Sequence, residues 1–386
     1  MKPENSIVEL IDLLIFDAIT HQASDIHLES QPEALRVRWR IDGVLYDKEQ
    51  IEFNHMHQVL SRIKVLANID ITEKRIPHDG KFKVMVNRQE IDLRVSSFPS
   101  IHGEKIVIRI LDRAHHMITL DKLGFSDAML SSFKQLLSRS NGFFLVSGPT
   151  GSGKTTTLYA ALSALNSPEK NIITLEDPVE YSLEGITQSQ VHPEAGFTFE
   201  KGIRSLLRQD PDIVMIGEIR DRQTAQVAIE ASLTGHVVLS TIHTNDAPAV
   251  IMRLIDMGIE PFLVDAAISG VLAQRLARTI CPHCRIQIEP TEQDLALFKR
   301  LGTEPIMLYK GTGCAHCFNL GFKGRTGIFE LLTMTPTLRS IVMQRPHLDV
   351  IQHQALEDGM QTLLTDGFPK VQHGLITLPE LMRSVI

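Results

Sequence analysis

Alternating apolar and polar residues dominate the first third of the chain. Residues 35–41 alternate strictly, and Asp42 and Gly43 after them predict a tight hairpin into residues 44–46. An amphipathic helix is predicted before this hairpin, at residues 6–20. Further alternating segments lie at 83–86, 91–95 and 106–110. Residues 1–112 are therefore predicted to form a small α+β domain.

The pattern changes after residue 141, where short apolar runs alternate with segments of helical spacing. This alternation predicts a mostly parallel sheet with helices on its faces. The predicted strands are 143–146, 172–175, 213–216 and 237–241, and the helices between them include 156–165, 224–232 and 247–256. Between the two regions, residues 113–120 lose all periodicity and are predicted to be a linker. His115 and His116 within it have no cysteine or acidic residue at a metal-binding spacing, which favours a solvated segment over a metal site.

A phosphate-binding loop follows the first of these apolar strands. The segment GPTGSGKT fits the pattern GxxxxGK[ST], with a strand before it and a helix after it. Its glycines let successive backbone N–H groups point at a triphosphate, and the helix N-terminus adds a positive dipole end. We predict that Lys154 contacts the β and γ phosphates and that the Thr155 hydroxyl binds Mg²⁺. The predicted nucleotide-binding residues are Gly148, Pro149, Thr150, Gly151, Ser152, Gly153, Lys154 and Thr155.

Three later segments place candidate catalytic residues at the ends of predicted strands. Glu176 is predicted to orient or deprotonate the attacking water, because carboxyl ends of parallel strands face the ligand crevice. Glu218 ends a strand of the Walker B type in which Gly217 replaces the usual aspartate, and it is predicted to act through the metal shell or the water. His243 also follows a strand, and we hypothesise that it senses the γ-phosphate. A solvated acidic loop and a structural histidine are the simpler interpretations.

Four cysteines form two C-x-x-C pairs, Cys281 with Cys284 and Cys314 with Cys317. Four thiolates complete a tetrahedral Zn²⁺ shell, which predicts a structural zinc that holds a loop and has no open position for catalysis. Redox pairs and unpaired buried thiols are the alternatives.

Charge and hydropathy limit the choice of partners. The chain has 39 Lys and Arg against 46 Asp and Glu, a formal net charge of −7, so no overall positive field attracts nucleic acid or an anionic membrane. No apolar run approaches the ~18 residues of a membrane span, and the N-terminus lacks the order of a signal peptide. The few cysteines, in closely spaced pairs, are typical of a reducing compartment such as the cytoplasm.

An ordered set of motifs resembles the ATPases that power type II secretion and type IV pilus assembly. Beyond the segments above, the set comprises ASDIHLE from residue 23, RIDG from 40, KRIPHDGK from 74, RVSSFP from 94 and GRTGIFE from 324. The cysteine pairs place the resemblance in the assembly and secretion branch, because the pilus retraction ATPases lack them. Two features depart from the family pattern. An additional N-terminal domain usually precedes the ASDIH segment, and His78 stands where glutamine is expected.

The resemblance implies a RecA-like ATPase domain at 121–386, preceded by a PAS-like N-terminal domain. Within the ATPase domain it implies a zinc subdomain at 279–326 and a C-terminal helical part at 327–386. It also implies a homohexamer whose two domains move relative to each other as ATP is bound and cleaved. Arg94 and Arg109 match arginines that reach the phosphates from the first domain. Further arginines match positions around the nucleotide or the subunit junction: Arg204, Arg208, Arg220 and Arg325.

Together these features predict a cytoplasmic motor that hydrolyses Mg-ATP and drives assembly of a type IV pilus or a type II secretion pseudopilus. The resemblance implies an inner-membrane platform protein as partner, which would also bring the motor to the inner membrane. A competence ATPase for DNA uptake is one alternative, although the acidic charge and the cysteine pairs disfavour direct contact with DNA. A non-hydrolysing, nucleotide-dependent scaffold is another, disfavoured by the intact Lys154, Thr155, Glu176 and Glu218.

Overall fold

The computed structural model describes residues 6–111, 118–302, 304 and 307–385. They form two compact units, Met1–His116 and Met117–Ile386, which are described separately below. Most of the predicted linker, with His115 and His116, lies outside the described residues. None of the described helices is long and apolar enough to cross a membrane.

The first unit is a six-stranded antiparallel sheet with two helices. The helices are α1 (Ile7–Thr20) and α2 (Phe53–Leu66), and the strands are β1 (Ala23–Ser30), β2 (Ala34–Ile41), β3 (Val44–Glu52), β4 (His78–Val86), β5 (Gln89–Ser100) and β6 (Gly103–Leu111). The strand order is β3-β2-β1-β6-β5-β4. The predicted α+β character, the first helix and the hairpin are confirmed, whereas the likeness to PAS domains stays a prediction.

Local sequence explains both the predicted helix and a strand that the pattern does not predict. Ser6 caps α1 by accepting a hydrogen bond from the Glu9 N–H, and the Glu9 carboxylate accepts one from the Ser6 N–H. The central strand β1 escapes prediction because Asp25 and His27 alternate with only two large apolar residues, yet both polar side chains are buried. Two large apolar residues are too few for a clear strand pattern, and the burial of both polar side chains is not visible in the sequence.

The second unit contains the remaining elements. Its strands are β7 (Gly142–Ser147), β8 (Ile172–Glu176), β9 (Thr187–Gln190), β10 (Ile213–Ile216), β11 (Val237–Ile242), β12 (Ile268–Ile280), β13 (Arg285–Ile288), β14 (Leu308–Gly311) and β15 (Phe322–Thr333). Its helices are α3 (Asp127–Leu137), α4 (Lys154–Leu165), α5 (Phe199–Leu206), α6 (Arg222–Leu233), α7 (Pro248–Asp256), α8 (Pro261–Ala267), α9 (Glu292–Leu301), α10 (Pro336–Val342), α11 (Leu348–Glu357), α12 (Leu363–Gln372) and α13 (Leu378–Val385).

A seven-stranded sheet organises this unit in the order β15-β12-β7-β11-β10-β8-β9. Neighbouring strands are parallel except β12 and β15, which are antiparallel. The four predicted strands and the mostly parallel sheet are confirmed. The strand pair β12–β15 is not predicted by the sequence pattern, and β15 occupies the first residues of the part predicted as helical at 327–386.

Two apolar layers cover the faces of this sheet. Alternate residues of β7 point to opposite sides: Phe143 and Leu145 belong to one buried cluster, and Phe144 and Val146 to the other. Because β7, β8, β10 and β11 are parallel, their carboxyl ends meet at one edge of the sheet. That edge is where the predicted catalytic segments begin.

Candidate functional site

The predicted phosphate loop connects β7 to α4. Gly153 precedes the first helical residue with φ 86°, in the left-handed region that favours glycine. Gly148, with φ 144°, lies so close to β12 that a Cβ atom would be 2.5 Å from the Gln274 carbonyl oxygen. The predicted order of strand, loop and helix is therefore present, and the glycines are required by both dihedral angle and close packing.

Lys154 is the first residue of α4, and its side chain folds back onto this loop. Its Nζ donates hydrogen bonds to the carbonyl oxygens of Gly148, at 2.8 Å, and Pro149, at 3.0 Å, and the residue is only 9% exposed. Burial lowers the pKa of Lys154 to about 8, with the Glu218 carboxylate opposing the shift and Arg275 adding to it. Thr155, the predicted Mg²⁺ ligand, is exposed at the start of α4.

Glu218, Arg220 and His243 form a second group at the same edge. The Arg220 guanidinium donates a hydrogen bond to the Glu218 carboxylate, and this bond raises the pKa of Arg220. The His243 Nε2 atom lies 3.7 Å from the other carboxylate oxygen of Glu218. The ends of β10 and β11 thus bring Glu218 and His243 together at the edge where the sequence predicts them, and their roles stay predictions.

Two hydroxyl groups fix the strand ends that carry this group. Ser240 donates to the Ile216 carbonyl and Thr241 to the Gly217 carbonyl, both at 2.7 Å. Each bond joins β11 to β10 just before the catalytic segment begins. The backbone positions of Glu218 and His243 are thus set by buried side-chain contacts in addition to sheet hydrogen bonds.

Glu176 is enclosed, with 3% of its surface exposed. Its carboxylate accepts hydrogen bonds from the Tyr159 hydroxyl, from Thr174 Oγ1 at 2.5 Å and from Gln188 Nε2 at 3.1 Å. Burial and this hydrogen bond raise the pKa of Tyr159 far above its usual value, so the phenol keeps its proton. The predicted role of Glu176 toward the attacking water stays a prediction, and the carboxylate is already bound by three donors.

Glu180 is the acidic residue in the same segment that sequence reasoning overlooked. It lies four residues after Glu176, beyond the cis peptide bond between Asp177 and Pro178, and its side chain is exposed. Its backbone N–H donates to the Tyr159 hydroxyl at 3.4 Å. A second glutamate in the sequence EDPVE was the available signal, but only the enclosure of Glu176 makes Glu180 a candidate.

The remaining predicted arginines are distributed over both units. Arg94 and Arg109 are cross-strand partners on β5 and β6 of the first unit, and Arg109 Nε donates to the Asp25 carboxylate at 3.1 Å. Arg204, on α5, pairs with Glu200 at 3.4 Å, and Arg208 donates to the Arg204 carbonyl at 2.7 Å. Arg325 lies on β15 opposite Arg278 of β12. For all of these arginines, Arg220 included, contact with a nucleotide stays a prediction.

The four cysteines converge as their spacing predicts. The Sγ atoms of Cys281, Cys284, Cys314 and Cys317 all lie within 4.8 Å of one another. The distances between Sγ atoms are 3.9 Å for Cys281 and Cys314, 3.8 Å for Cys284 and Cys317, and 3.7 Å for Cys314 and Cys317. A Zn–S distance of about 2.3 Å places tetrahedral ligands about 3.8 Å apart, so the thiolates fit zinc. His283 and His316 stack on each other with ring centroids 4.0 Å apart, outside this cluster.

Comparison with known proteins decides the family. The family model described as type II/IV secretion system protein matches residues 1–383. The chain belongs to this family. It is 45% identical over 381 residues to the type II secretion system ATPase E of Vibrio cholerae, covering 98% of this chain and 75% of that one. It is 44% identical to the type IV pilus assembly ATPase PilB of Myxococcus xanthus, covering 97% and 67%.

Solved structures agree with the fold of this secretion ATPase. The crystal structure of the pilus retraction motor PilT with bound ADP matches with a TM-score of 0.63 at 25% identity, covering 98% of this chain and 97% of that one. The ATPase DotB of Legionella pneumophila matches with a TM-score of 0.72 at 18% identity, covering 99% and 96%. The latter likeness shows the fold alone.

Proposed function

We propose that this secretion ATPase is a motor that couples ATP hydrolysis to the assembly of a type IV pilus or a type II secretion pseudopilus. The observation that carries the proposal is the meeting of Lys154, Glu218 and His243 at one edge of the sheet. The names of the Vibrio and Myxococcus relatives support the biological setting.

In the proposed mechanism the phosphate loop binds the triphosphate of ATP. Backbone N–H groups and the Lys154 ammonium would contact the phosphate oxygens, and the Thr155 hydroxyl and the Glu218 carboxylate would hold Mg²⁺. When bound, Mg²⁺ would supply positive charge that offsets the negative charge developing on the leaving phosphates. His243 stands next to Glu218, and in this mechanism it would sense the γ-phosphate.

We further propose that three carboxylates at this site have different roles. Glu218 acts on the metal or the attacking water, because its two partners leave it partly open at 18% side-chain exposure. Glu176 acts as a positioning residue, since Tyr159 links its carboxylate to the Glu180 backbone. Asp177 and Glu180 are then the exposed carboxylates of that segment, and Glu180 is the competing candidate for the group that contacts water.

Isosteric substitutions test this assignment. We expect Glu218→Gln to lower kcat by roughly 10²–10³-fold while the Kd for a fluorescent ATP analogue changes little, because the chemistry is lost and the loop is retained. Glu176→Gln and Glu180→Gln are compared under the same conditions, with Lys154→Ala as the blank. Unchanged turnover in Glu218→Gln would overturn its role, and wild-type binding without turnover would favour a nucleotide-dependent scaffold.

The ring and its partners are also proposed from the family. A homohexamer in the cytoplasm would bring Arg94, Arg109, Arg204, Arg208 or Arg325 to the nucleotide or the subunit junction, and a membrane platform protein would receive the motion. Arginine at a phosphoryl transition state contributes ~10³–10⁵ in rate, so turnover per subunit should rise with protein concentration. A constant rate per subunit across that range would contradict sites completed by neighbours.

We propose that the cysteine cluster holds a structural Zn²⁺. The distances between the four Sγ atoms match a tetrahedral shell, and three of the four cysteines are buried. All four positions are taken by thiolates, so the ion has no open position for a substrate.

A further inference from the structure

Strand β12 extends past the end of the strand beside it. Its last pairing with β7 joins Ala273 to Ser147, after which β7 turns into the phosphate loop. From Gln274 onward, β12 pairs with β15 alone. The next side chains of β12 therefore stand beside the loops that begin where the parallel strands end.

Gln274 points to the phosphate loop and is only 2% exposed. Its Nε2 donates to the Ser152 carbonyl at 2.6 Å, and its Oε1 accepts from Thr157 Oγ1 at 2.7 Å. A Cβ atom on Gly153 would lie 2.8 Å from the same Nε2. One amide thus joins the middle of the loop to the first turn of α4.

The contact with Ser152 fixes more than one atom. In a planar trans peptide the C=O of one residue and the N–H of the next point in opposite directions. Because Gln274 holds the Ser152 carbonyl toward β12, the Gly153 N–H is directed away from β12, to the side where the loop surrounds its phosphate. The Gln274 amide therefore sets the direction of a donor that it does not touch.

Arg275 holds a different loop from the opposite face of the strand, as side chains alternate along β12. Its guanidinium donates to the Asn245 carbonyl at 2.7 Å, two residues after His243. On the partner strand, the Glu330 carboxylate accepts from the Ala247 N–H at 2.7 Å. The histidine loop, residues 243–247, is thus fixed to the same pair of strands as the phosphate loop.

We propose that Gln274 and Arg275 are positioning residues that fix the phosphate loop and the histidine loop relative to each other. The proposal rests on the proposed function of this site as an ATP-hydrolysing centre. Gln274 governs nucleotide binding through the loop N–H groups, and Arg275 governs the chemical step through the placement of His243.

Nucleotide affinity and turnover are measured separately to test this. We expect Gln274→Met, an unbranched apolar substitute, to weaken the Kd for a fluorescent ATP analogue about tenfold, because Ser152 and Thr157 lose their partner inside the protein. Thr157→Val should weaken it about threefold, and Thr157→Ser, which keeps the hydroxyl, should restore it. Arg275→Met should lower kcat about tenfold with little change in Kd.

Arg278→Met is the matched control, because Arg278 lies on the same strand but contacts the Glu380 carboxylate of α13. It should lower the unfolding temperature and leave Kd unchanged. If Gln274→Met lowers the unfolding temperature but keeps Kd within twofold, Gln274 is only structural and the proposal fails. If Gln274→Met does not fold, the Thr157→Val and Thr157→Ser pair decides in the same way.

The two proposals fail in different ways. Wild-type protein that binds the analogue without hydrolysing ATP would overturn the proposed function, and the binding comparison would still decide the role of Gln274. Wild-type protein that hydrolyses ATP, together with a Gln274→Met variant of normal Kd and KM, would overturn only the positioning role. An Arg275→Met variant with a normal kcat would overturn the proposed role of Arg275 in placing His243.

Discussion

The parallel strands and the β12–β15 pair use polar side chains in opposite ways. At the ends of the parallel strands, Lys154 donates to two loop carbonyls, and the Glu218 carboxylate is shared between Arg220 and His243. On β12 and β15, Gln274 and Glu330 are buried and their hydrogen bonds go to neighbouring loops. Lys154 and Glu218 face the loops that would receive a ligand, whereas both ends of the Gln274 amide and the Glu330 carboxylate are engaged by neighbouring parts of the protein.

The same contrast continues along β12. Beyond Arg275, Arg278 donates to the Glu380 carboxylate through its backbone N–H at 3.0 Å, Nε at 3.1 Å and Nη2 at 2.8 Å. The strand then ends at Ile280 and leads directly into the first cysteine pair. One strand thus supports the phosphate loop, the C-terminal helix and the cysteine cluster in succession.

The largest effect is expected at the proposed zinc site of the cysteine cluster. The double variant Cys281→Ser, Cys284→Ser removes half of the zinc shell, so bound zinc should fall from about one per chain to none. Because a structural zinc contributes several kcal/mol to folding, the unfolding temperature should fall by roughly 10 °C or more. Metal analysis and calorimetry check this, with His283→Ala as the control that keeps the ion. An unchanged unfolding temperature would show that the cysteine cluster does not stabilise the fold.

An intermediate effect is expected at Glu380. Burial opposes the charge, but hydrogen bonds from Arg278 and Arg383 lower the pKa of Glu380 to about 2. A carboxyl with a depressed pKa stabilises the fold above its ordinary value of 4.5, and this contribution is lost as pH falls from 4.5 toward 2. Glu380→Gln should therefore lower the free energy of unfolding at pH 7 by about 2 kcal/mol. It should also reduce the loss of that free energy as the pH falls below 4.5.

Chemical denaturation between pH 3 and pH 7 measures the Glu380 effect. The control is Glu357→Gln, an exposed residue of α11 that lies 3.6 Å from His353, which should change little. ATP affinity should stay the same in both variants. A weaker ATP affinity in Glu380→Gln would show that the contact between Arg278 and Glu380 also affects the nucleotide site.

The smallest effect is expected from the charge of Lys154. Its folded pKa of about 8 lies below the ordinary 10.5, so the ammonium loses its proton as pH rises through about 8. The Kd for the ATP analogue should therefore weaken by up to about tenfold between pH 7.5 and pH 9. Lys154→Met should bind weakly and without this step. A flat wild-type profile to pH 9.5 would contradict the lowered pKa.

The sequence identifies the phosphate loop and the cysteine pairs more readily than the buried side chains that support them, for a physical reason. The phosphate loop and the cysteine pairs are local, because their function requires fixed spacing within a few residues. Gln274 contacts Thr157 across 117 positions and Ser152 across 122, and nothing near it in the chain marks that contact. The enclosure of Glu176 by Gln188 is likewise visible only after β8 and β9 pair.

The register of β12 and β15 gives the cysteine segment a modular character. Ile280 ends β12, Phe322 begins β15, and the two residues are paired partners across the strands. Everything between them leaves and re-enters the seven-stranded sheet at one place, like the loop of a long hairpin. The length of this segment can therefore change without altering the register of β12 and β15, provided that the packing of Phe298 and Leu308 against Ala277 and Ile328 is kept.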